Sequence, residues 1–325
     1  MRLAIIFIFV AQSALAGVSE AVNERILPGL TDFATSAADL STAASESCEP
    51  DSLKPAFQKT FDAWMGIGDL RLGPSEAGAL SIYFWPDKKG FTKKALFQLI
   101  SAQDPAINDP ERFSHVSIAA RGLFALERML YDPEFSAYET EDYACALVQT
   151  LTRDLASQAQ ALTSDWETDF AHLLLSPGGP DNIAFLDETE ATRAIYTQIL
   201  TSLENTSTVR LGRPLGETTR PRPQRAEAWR SERSLQNTLL ATKAAVDLAI
   251  ALADWDIPQT KAALKEVYAQ AERISDPSFQ DIDDLTARFA VEVLAQKIDA
   301  VHLAIEVEVG EKYGITPGFN SSDGD

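Results

Sequence analysis

Apolar residues recur along most of this chain at spacings of three and four positions, which is the signature of amphipathic helices. Alternation with a period of two, which marks half-buried strands, is nearly absent. The apolar stripes are Phe57, Phe61 and Trp64; Leu147, Leu151, Leu155, Leu162 and Trp166; Ile195, Ile199 and Leu203; Leu235, Leu239, Val246 and Ile250; and Ile282, Leu285, Phe289, Val293, Ala300, Leu303 and Val307. The pattern predicts an all-α fold, most simply two antiparallel helical-bundle domains packed side by side. The last stripe predicts one long helix over 279–312.

Proline and glycine clusters divide the helical pattern, because proline removes a backbone donor and glycine admits unusual dihedral angles. The sequence Ser-Pro-Gly-Gly-Pro at 176–180 falls near the middle of the chain. It predicts an N-terminal bundle at 17–175 and a C-terminal bundle at 181–325. The longest interruption covers 205–225 and predicts a long, arginine-rich loop that extends over 205–233.

The N-terminus has the features of a secretory signal peptide, predicted over residues 1–16. Arg2 gives a positive start, an unbroken apolar run fills 3–10, and small residues suited to cleavage stand at 14–16. The apolar run is too short to span a bilayer, although a membrane-anchored N-terminus is the alternative. We therefore expect cleavage near Ala16/Gly17 and an exported mature chain without a membrane span.

Export makes the two cysteines of the chain informative. In an oxidising compartment, Cys48 and Cys145 are expected to form a disulfide rather than two free thiols. Such a bond would close a loop of about 100 residues and stabilise the fold by restricting the unfolded chain.

The charge balance excludes several classes of protein. Asp and Glu number 48 against 28 Lys and Arg, which gives a formal net charge of −20. A nucleic-acid groove needs a basic surface, and anionic membranes repel such a chain, so we expect neither partner. Three His and two Cys exclude zinc-finger arrays and iron–sulfur motifs.

One stretch reverses the acidic balance. Between 205 and 233 there are seven arginines, and only four glutamates lie in or next to this stretch. The arginines are Arg210, Arg213, Arg220, Arg222, Arg225, Arg230 and Arg233, and the glutamates are Glu204, Glu217, Glu227 and Glu232. The arginines could form a clamp for an anion or carboxylate, since guanidinium groups bind such groups through two hydrogen bonds. Alternatively, they neutralise acidic helices of the same molecule. The sequence leaves both interpretations open.

A glutamate interrupts an apolar stripe in the segment 111–131. The stripe is formed by Phe113, Val116, Ala120, Leu123 and Leu130. If the segment is one helix, Glu127 lies on its buried face, where a carboxylate must be paired, hydrogen-bonded or protonated. Gly122 would then stand in the helix interior at a cost of about 1 kcal/mol relative to alanine. Two such costs indicate a functional site, and the alternative is an ion pair of Glu127 with Arg71 or Arg230.

The same residues carry a resemblance to a known family. The run Gly-Leu-Phe-Ala-Leu-Glu at 122–127 resembles the Gly-x-His-x-x-Glu motif of the imelysin family. Further segments that resemble the family, in order, are FQKTFDAWMGIGDLRLGPSEAGALSIYFWP at 57–86, RLGRPLG at 210–216, RSERSL at 230–235, and Phe319-Asn320 with Asp323-Gly324-Asp325. Together they span most of the mature chain.

The resemblance implies a bacterial periplasmic or envelope protein made of two helical bundles, with the motif near their interface. The family is linked to iron acquisition and has been classed as a metallopeptidase family, M75. Phe124 stands where the motif has its histidine, and phenylalanine has no lone pair with which to ligate a metal. The chain contains no other His-x-x-Glu and no His-Glu-x-x-His motif. The metal motif is therefore predicted to be lost or altered.

The leading hypothesis is an exported binding protein, linked to iron uptake through the family. It would take a small ligand or an envelope protein partner in the cleft between the bundles. The residues predicted to line that cleft are Glu127, Phe124, Gly122, Arg71, Trp85, Asp87, Arg230 and Arg233. The alternatives are a structural envelope protein and a metal-dependent peptidase with a different ligand set.

No specific cofactor follows from the sequence, although iron or zinc would suit one weak set of candidate ligands. Asp299, His302 and Glu306 stand at i, i+3 and i+7 of the last predicted helix and therefore share a face. The alternative interpretation is a solvated face of an acidic protein.

Overall fold

The computed structural model describes residues 16–315. Within this range the backbone is helical and carries no β-strand, apart from an isolated bridge between Glu217 and Arg220. The α-helices are α1 (Ala16–Glu20), α2 (Leu27–Glu46), α3 (Pro50–Met65), α4 (Pro74–Ile82), α5 (Phe91–Ala102), α6 (Pro110–Ser114), α7 (Gly122–Tyr131), α8 (Tyr143–Asp165), α9 (Ala171–Leu175), α10 (Glu188–Glu204), α11 (Gly212–Leu215), α12 (Ser234–Ala253), α13 (Pro258–Ala271), α14 (Leu285–Ile305) and α15 (Glu311–Tyr313). The predicted all-α fold is confirmed. The predicted signal peptide up to residue 15 and the motif residues at 319–325 lie outside the described residues.

The helices pack in two groups around one continuous apolar core. Helices α2, α3, α7 and α8 contact one another, as do α10, α12, α13 and α14. The chain begins on the second group, because α1 packs against α10 and α12 before α2 enters the first group. Within residues 16–315, no helix is long and apolar enough to cross a membrane. The division into domains at 176–180 stays a prediction.

Several long helices contain a π-helical turn, a wider turn that often occurs near functional sites. One of these turns, Asn205–Leu211, continues α10 into α11, so the chain is helical through the first part of the predicted 205–233 loop. The helix persists because Arg210 and Leu211 are buried. It ends at Gly216, which has a φ of +54°. The loop is therefore shorter than predicted.

The predicted helix over 279–312 begins later and presents a different face. Asp284 caps α14 by accepting hydrogen bonds from the backbone of its first turn, so the helix starts at Leu285. The predicted core residues Leu285 and Phe289 are 71% and 63% exposed. The buried face is the neighbouring one, formed by Val291, Leu294, Ile298, Val301 and Ile305. Apolar residues occur on both faces of α14, so periodicity alone selected the wrong one.

The predicted disulfide is present between Cys48 and Cys145, with Cα atoms 5.4 Å apart. It joins the turn after α2 to the first turn of α8. Nearby, the Tyr138 hydroxyl donates to the Cys48 carbonyl oxygen at 2.9 Å. The disulfide therefore ties α8 to the turn after α2, and the hydrogen bond fastens the loop that precedes α8.

Candidate functional site

Helix α7 carries the candidate motif, and its start depends on Gly122. The segment 111–131 is not one helix, since α6 ends at Ser114 and α7 begins at Gly122. Gly122 has a φ of +71°, and a Cβ atom there would lie 2.2 Å from the carbonyl oxygen of Ile82. The predicted cost of a glycine in a helix interior is therefore wrong. Glycine is needed here because the backbone is left-handed and touches the end of α4.

Glu127 is buried on α7, with 1% of its surface exposed. Its Oε1 accepts hydrogen bonds from the backbone N–H of Ser231 at 3.1 Å and from the Ser231 hydroxyl at 2.8 Å. Burial raises the pKa of the Glu127 carboxyl, and the charge of Arg230 and the hydrogen bonds from Ser231 offset part of this shift. The partner of Glu127 is thus Ser231, a residue that the sequence analysis did not single out.

The arginines near Glu127 pair with another carboxylate. Arg230 Nε lies 3.1 Å from Asp132 Oδ2, and Arg128 Nη1 lies 2.6 Å from the same oxygen. Burial and the charge of Arg230 lower the pKa of Arg128, while Asp132 raises it. Asp132 follows the last residue of α7 and therefore ties α7 to the segment that carries Arg230.

A cleft of about 540 Å³ opens beside these residues. One side is formed by α7 and the segment 84–92, and the other by Arg213 and the segment 221–230. Domain and segment interfaces of this kind commonly form ligand sites. Because Gly122 holds α7 against α4, the segment after α4 passes directly along the cleft.

Five of the eight residues predicted to line the cleft do so. They are Glu127, Phe124, Trp85, Asp87 and Arg230. The Asp87 carboxylate accepts backbone N–H groups of Phe91 and Thr92, both at 2.9 Å, and so caps α5. Burial alone would raise the pKa of Asp87, but these hydrogen bonds lower it. Asp87 therefore shapes the cleft wall while its oxygens are already engaged.

The other three predicted residues lie elsewhere, and the prediction fails for them. Gly122 faces α4, as described above. Arg71 lines a separate cavity of about 210 Å³ beside Asp69. Arg233 is fully buried, pairs with Asp62 and lies 4.6 Å from the centre of the Phe61 ring. Arg230 lies in the short helical turn 229–231 and Arg233 directly precedes α12, so the two side chains meet different neighbours despite their proximity in sequence.

The arginine-rich segment supports both of its interpretations, each for different residues. Arg210, Arg230 and Arg233 form internal ion pairs. The remaining cleft arginines of this segment are Arg213, Arg222 and Arg225, and among residues 16–315 no ion pair involves them. The three paired arginines therefore neutralise carboxylates of the same chain. The three unpaired arginines leave their positive charge in the cleft.

The Arg210 cluster joins the two groups of helices. Arg210 binds Asp69 through two hydrogen bonds of 2.8 Å, and its Nε lies 3.1 Å from Glu227 Oε2. Burial would raise the pKa of Asp69, but Arg210 lowers it. Burial raises the pKa of Glu227 well above its ordinary value, and Asp69 adds to this rise. The Arg210 guanidinium thus pairs with the ionised carboxylate of Asp69 and also binds Glu227, whose carboxyl group favours the neutral form.

Several cleft residues were not predicted from the sequence, namely Arg128, Trp229, Lys88 and Thr92. Arg128 directly follows Glu127, so the motif itself could have indicated it. Trp229 directly precedes Arg230 and contacts it, with the guanidinium carbon 4.3 Å from the ring centre. The remaining two lie close to Asp87, but no pattern of residue types distinguishes them.

Potential metal ligands do not converge within residues 16–315, where no three His, Cys, Asp or Glu side chains form a group that could hold an ion. His302 Nδ1 lies 3.6 Å from Glu306 Oε2, and Asp299 is exposed. The set Asp299, His302 and Glu306 is therefore not a metal site in this structure. His302 and Glu306 are partly buried, with 24% and 28% of their side chains exposed.

Comparisons with known proteins identify the family. The model of the imelysin family, Peptidase M75, matches residues 26–305, and the chain belongs to this family. A crystal structure of an imelysin-like protein from Psychrobacter arcticum 273-4 has a TM-score of 0.74 at 18% identity, covering 98% of this chain and 100% of that one. No significant match occurs among curated proteins.

A second solved structure has the same fold. It is a protein from Parabacteroides distasonis ATCC 8503, provisionally described as an iron-regulated protein A precursor. Its TM-score is 0.69 at 15% identity, with 90% of this chain and 94% of that chain covered. At these identities, both likenesses establish the fold.

The residues present do not fit the metal that a metallopeptidase family implies. Phe124 is buried, and its ring packs edge-on against Tyr83 at 5.0 Å and Phe61 at 5.8 Å between ring centres. An apolar ring cannot replace an imidazole ligand. Glu127, the second motif residue, already accepts two hydrogen bonds from Ser231. Phe124 therefore makes aromatic contacts next to the buried carboxyl group of Glu127.

Proposed function

We propose that this chain is an exported binding protein that acts in iron acquisition and takes its ligand in the cleft between α7 and the segment 221–230. The observation that carries the proposal is the cleft of about 540 Å³ itself. Its volume falls within the range of small-molecule sites, and it combines aromatic walls with a few charged side chains. The export signal predicted at 1–16 and the disulfide are consistent with an oxidising compartment.

Membership of the imelysin family supports the link to iron, as does the iron-regulated description of one structural relative. Binding is favoured over peptide hydrolysis because Phe124 replaces the metal-ligating residue of the motif. A hydrolytic zinc site needs about three protein ligands and an open position.

Complementation under iron limitation tests the proposal. Deleting the gene in the producing bacterium should slow growth in iron-limited medium, and the full chain should restore it. Trp229→Ala, which removes one cleft wall, should fail to complement. The matched control is Phe97→Ala, since Phe97 is 61% exposed on α5 and does not line the cleft.

Two results would refute the proposed role. One is a deletion strain that grows normally without iron supplementation. The other is peptide hydrolysis by the purified mature chain that is lost on chelation and recovered with metal, which would establish the peptidase alternative. Cell fractionation completes the test, since export requires the protein in the periplasm, with an N-terminus near Gly17.

A further inference from the structure

The side chains that line the cleft carry an excess of positive charge. Six cationic side chains line it against two acidic ones, the cations being Lys88, Arg128, Arg213, Arg222, Arg225 and Arg230. The acidic residues are Asp87, whose oxygens cap α5, and Glu127, which is buried and accepts a hydrogen bond from Ser231. In a chain of net charge −20, this local reversal is the opposite of what composition predicts.

Three of the cleft arginines have no carboxylate partner in the part of the chain that the structure describes. Within residues 16–315, the ion pairs include Arg128 and Arg230 but not Arg213, Arg222 or Arg225. The Nε of Arg213 is buried without a hydrogen-bond acceptor. Buried donors in native proteins are almost always satisfied, so this guanidinium group has hydrogen-bonding capacity that the described chain does not use.

Like charges are also held close together at two places in the cleft. Burial lowers the pKa of Arg213, and the neighbouring charge of Arg225 lowers it further. Arg128 and Arg230 repel each other in the same way, although both pair with Asp132. Repulsion between fixed cations costs free energy, and an anion between them would relieve that cost.

Aromatic rings hold two of these guanidinium groups in place. The guanidinium carbon of Arg213 lies 5.9 Å from the centre of the Trp85 ring, and that of Arg230 lies 4.3 Å from the Trp229 ring. Such contacts fix a guanidinium plane while leaving its N–H groups free to donate. Fixed donors lose less conformational entropy when a ligand binds.

From these observations we propose that the cleft binds a small polyanion bearing at least two carboxylate or phosphate groups. One anionic group would lie against Arg213, Arg222 and Arg225, and another against Arg128 and Arg230. Guanidinium groups favour both chemistries because each can donate two parallel N–H bonds to two oxygens. The proposal rests on the ligand-binding role proposed above and specifies the chemistry of the ligand.

Isothermal titration of the mature chain, residues 17–325, tests the proposal with two probes, citrate and inorganic pyrophosphate. Saturable binding of either one at millimolar concentration or below is expected, with weaker binding at high salt. Acetate and spermidine serve as the monoanionic and polycationic controls. Binding of citrate alone identifies a carboxylate ligand, and binding of pyrophosphate alone identifies a phosphate ligand.

Variants connect the binding to the cleft. Arg213→Gln and Arg225→Gln should each weaken binding at least tenfold, because a hydrogen bond to a charged group is lost together with the charge. Arg225→Lys should bind more tightly than Arg225→Gln. The matched control is Arg153→Gln, since Arg153 is exposed on α8 and does not line the cleft. Circular dichroism establishes that each variant is folded.

The proposal is overturned if the folded chain binds neither polyanion, if it prefers spermidine, or if the cleft variants bind as tightly as Arg153→Gln. The chain could fail to bind polyanions while Trp229→Ala still abolishes growth under iron limitation. That result would refute the proposed ligand chemistry and leave the proposed binding role intact. Polyanion binding in a protein without any iron-dependent phenotype would establish the ligand chemistry and refute the proposed role.

Discussion

Replacing Gly122 with alanine tests whether the first residue of α7 determines the shape of the site. The added methyl group would lie 2.2 Å from the Ile82 carbonyl oxygen and 2.5 Å from that of Ser81. Both neighbours are backbone atoms at the end of α4, which no side-chain rotation can move aside. Either α7 or the end of α4 must shift, and both border the cleft.

Two costs contribute to the expected loss of stability. A left-handed backbone costs a residue with a Cβ atom about 1–2 kcal/mol. Forcing extra atoms into a packed position typically costs about 1–3 kcal/mol more. The unfolding free energy of Gly122→Ala should therefore fall by about 2–5 kcal/mol. At about 2–4 °C per kcal/mol, the melting temperature should fall by about 4–20 °C.

Urea unfolding followed by circular dichroism measures the effect, with Gly90→Ala as the matched control. Gly90 also has a positive φ, +68°, but a Cβ atom there would meet no other atom within 4 Å. The control therefore experiences the backbone cost without the collision. Equal losses for the two variants would refute the argument that contact with α4 requires glycine at 122.

The remaining predictions concern the disulfide and the motif. Replacing Cys48 and Cys145 by serine should lower the unfolding free energy by about 2–5 kcal/mol and leave citrate binding unchanged, and two free thiols in the native protein would contradict the premise. The raised pKa of Glu127 means that ionisation of this carboxyl group opposes folding. The unfolding free energy of the wild type should therefore fall relative to that of Glu127→Gln as the pH rises above the ordinary carboxyl pKa. Urea unfolding measures both free energies, and the same pH dependence in the two proteins would refute this. Phe124→His should create zinc binding that calorimetry detects and that Glu127→Gln abolishes, while unchanged metal content would show that more than Phe124 blocks a metal site.

Glu127 shows how far the sequence could lead at the candidate site. A carboxylate in an apolar stripe predicts a buried group that needs a partner, and the structure shows burial of Glu127. The identity of the partner could not be predicted, because Ser231 lies 104 residues away in sequence. The expected arginine partner instead pairs with Asp132. Local periodicity places a residue on a face, whereas only chain packing determines what that face meets.

The arginine-rich segment shows the same limit of prediction from sequence. Composition identified the cluster and its two interpretations, internal charge neutralisation and anion binding. It could not predict that Arg210 fits the first interpretation and Arg213 the second. These residues are three positions apart on one continuous helix. One meets Asp69 and Glu227, and the other faces the cleft.

The sequence by itself determined the helical fold and the pairing of Cys48 with Cys145, since the first depends on local spacing and the second on residue type. The tertiary structure alone decided that Gly122 starts a helix, which face of α14 is buried, and which cationic side chains remain unpaired. These outcomes depend on contacts between segments distant in sequence. Hydrophobic periodicity specifies that a helix has a buried face, but the free energy of packing and of charge pairing selects its neighbours.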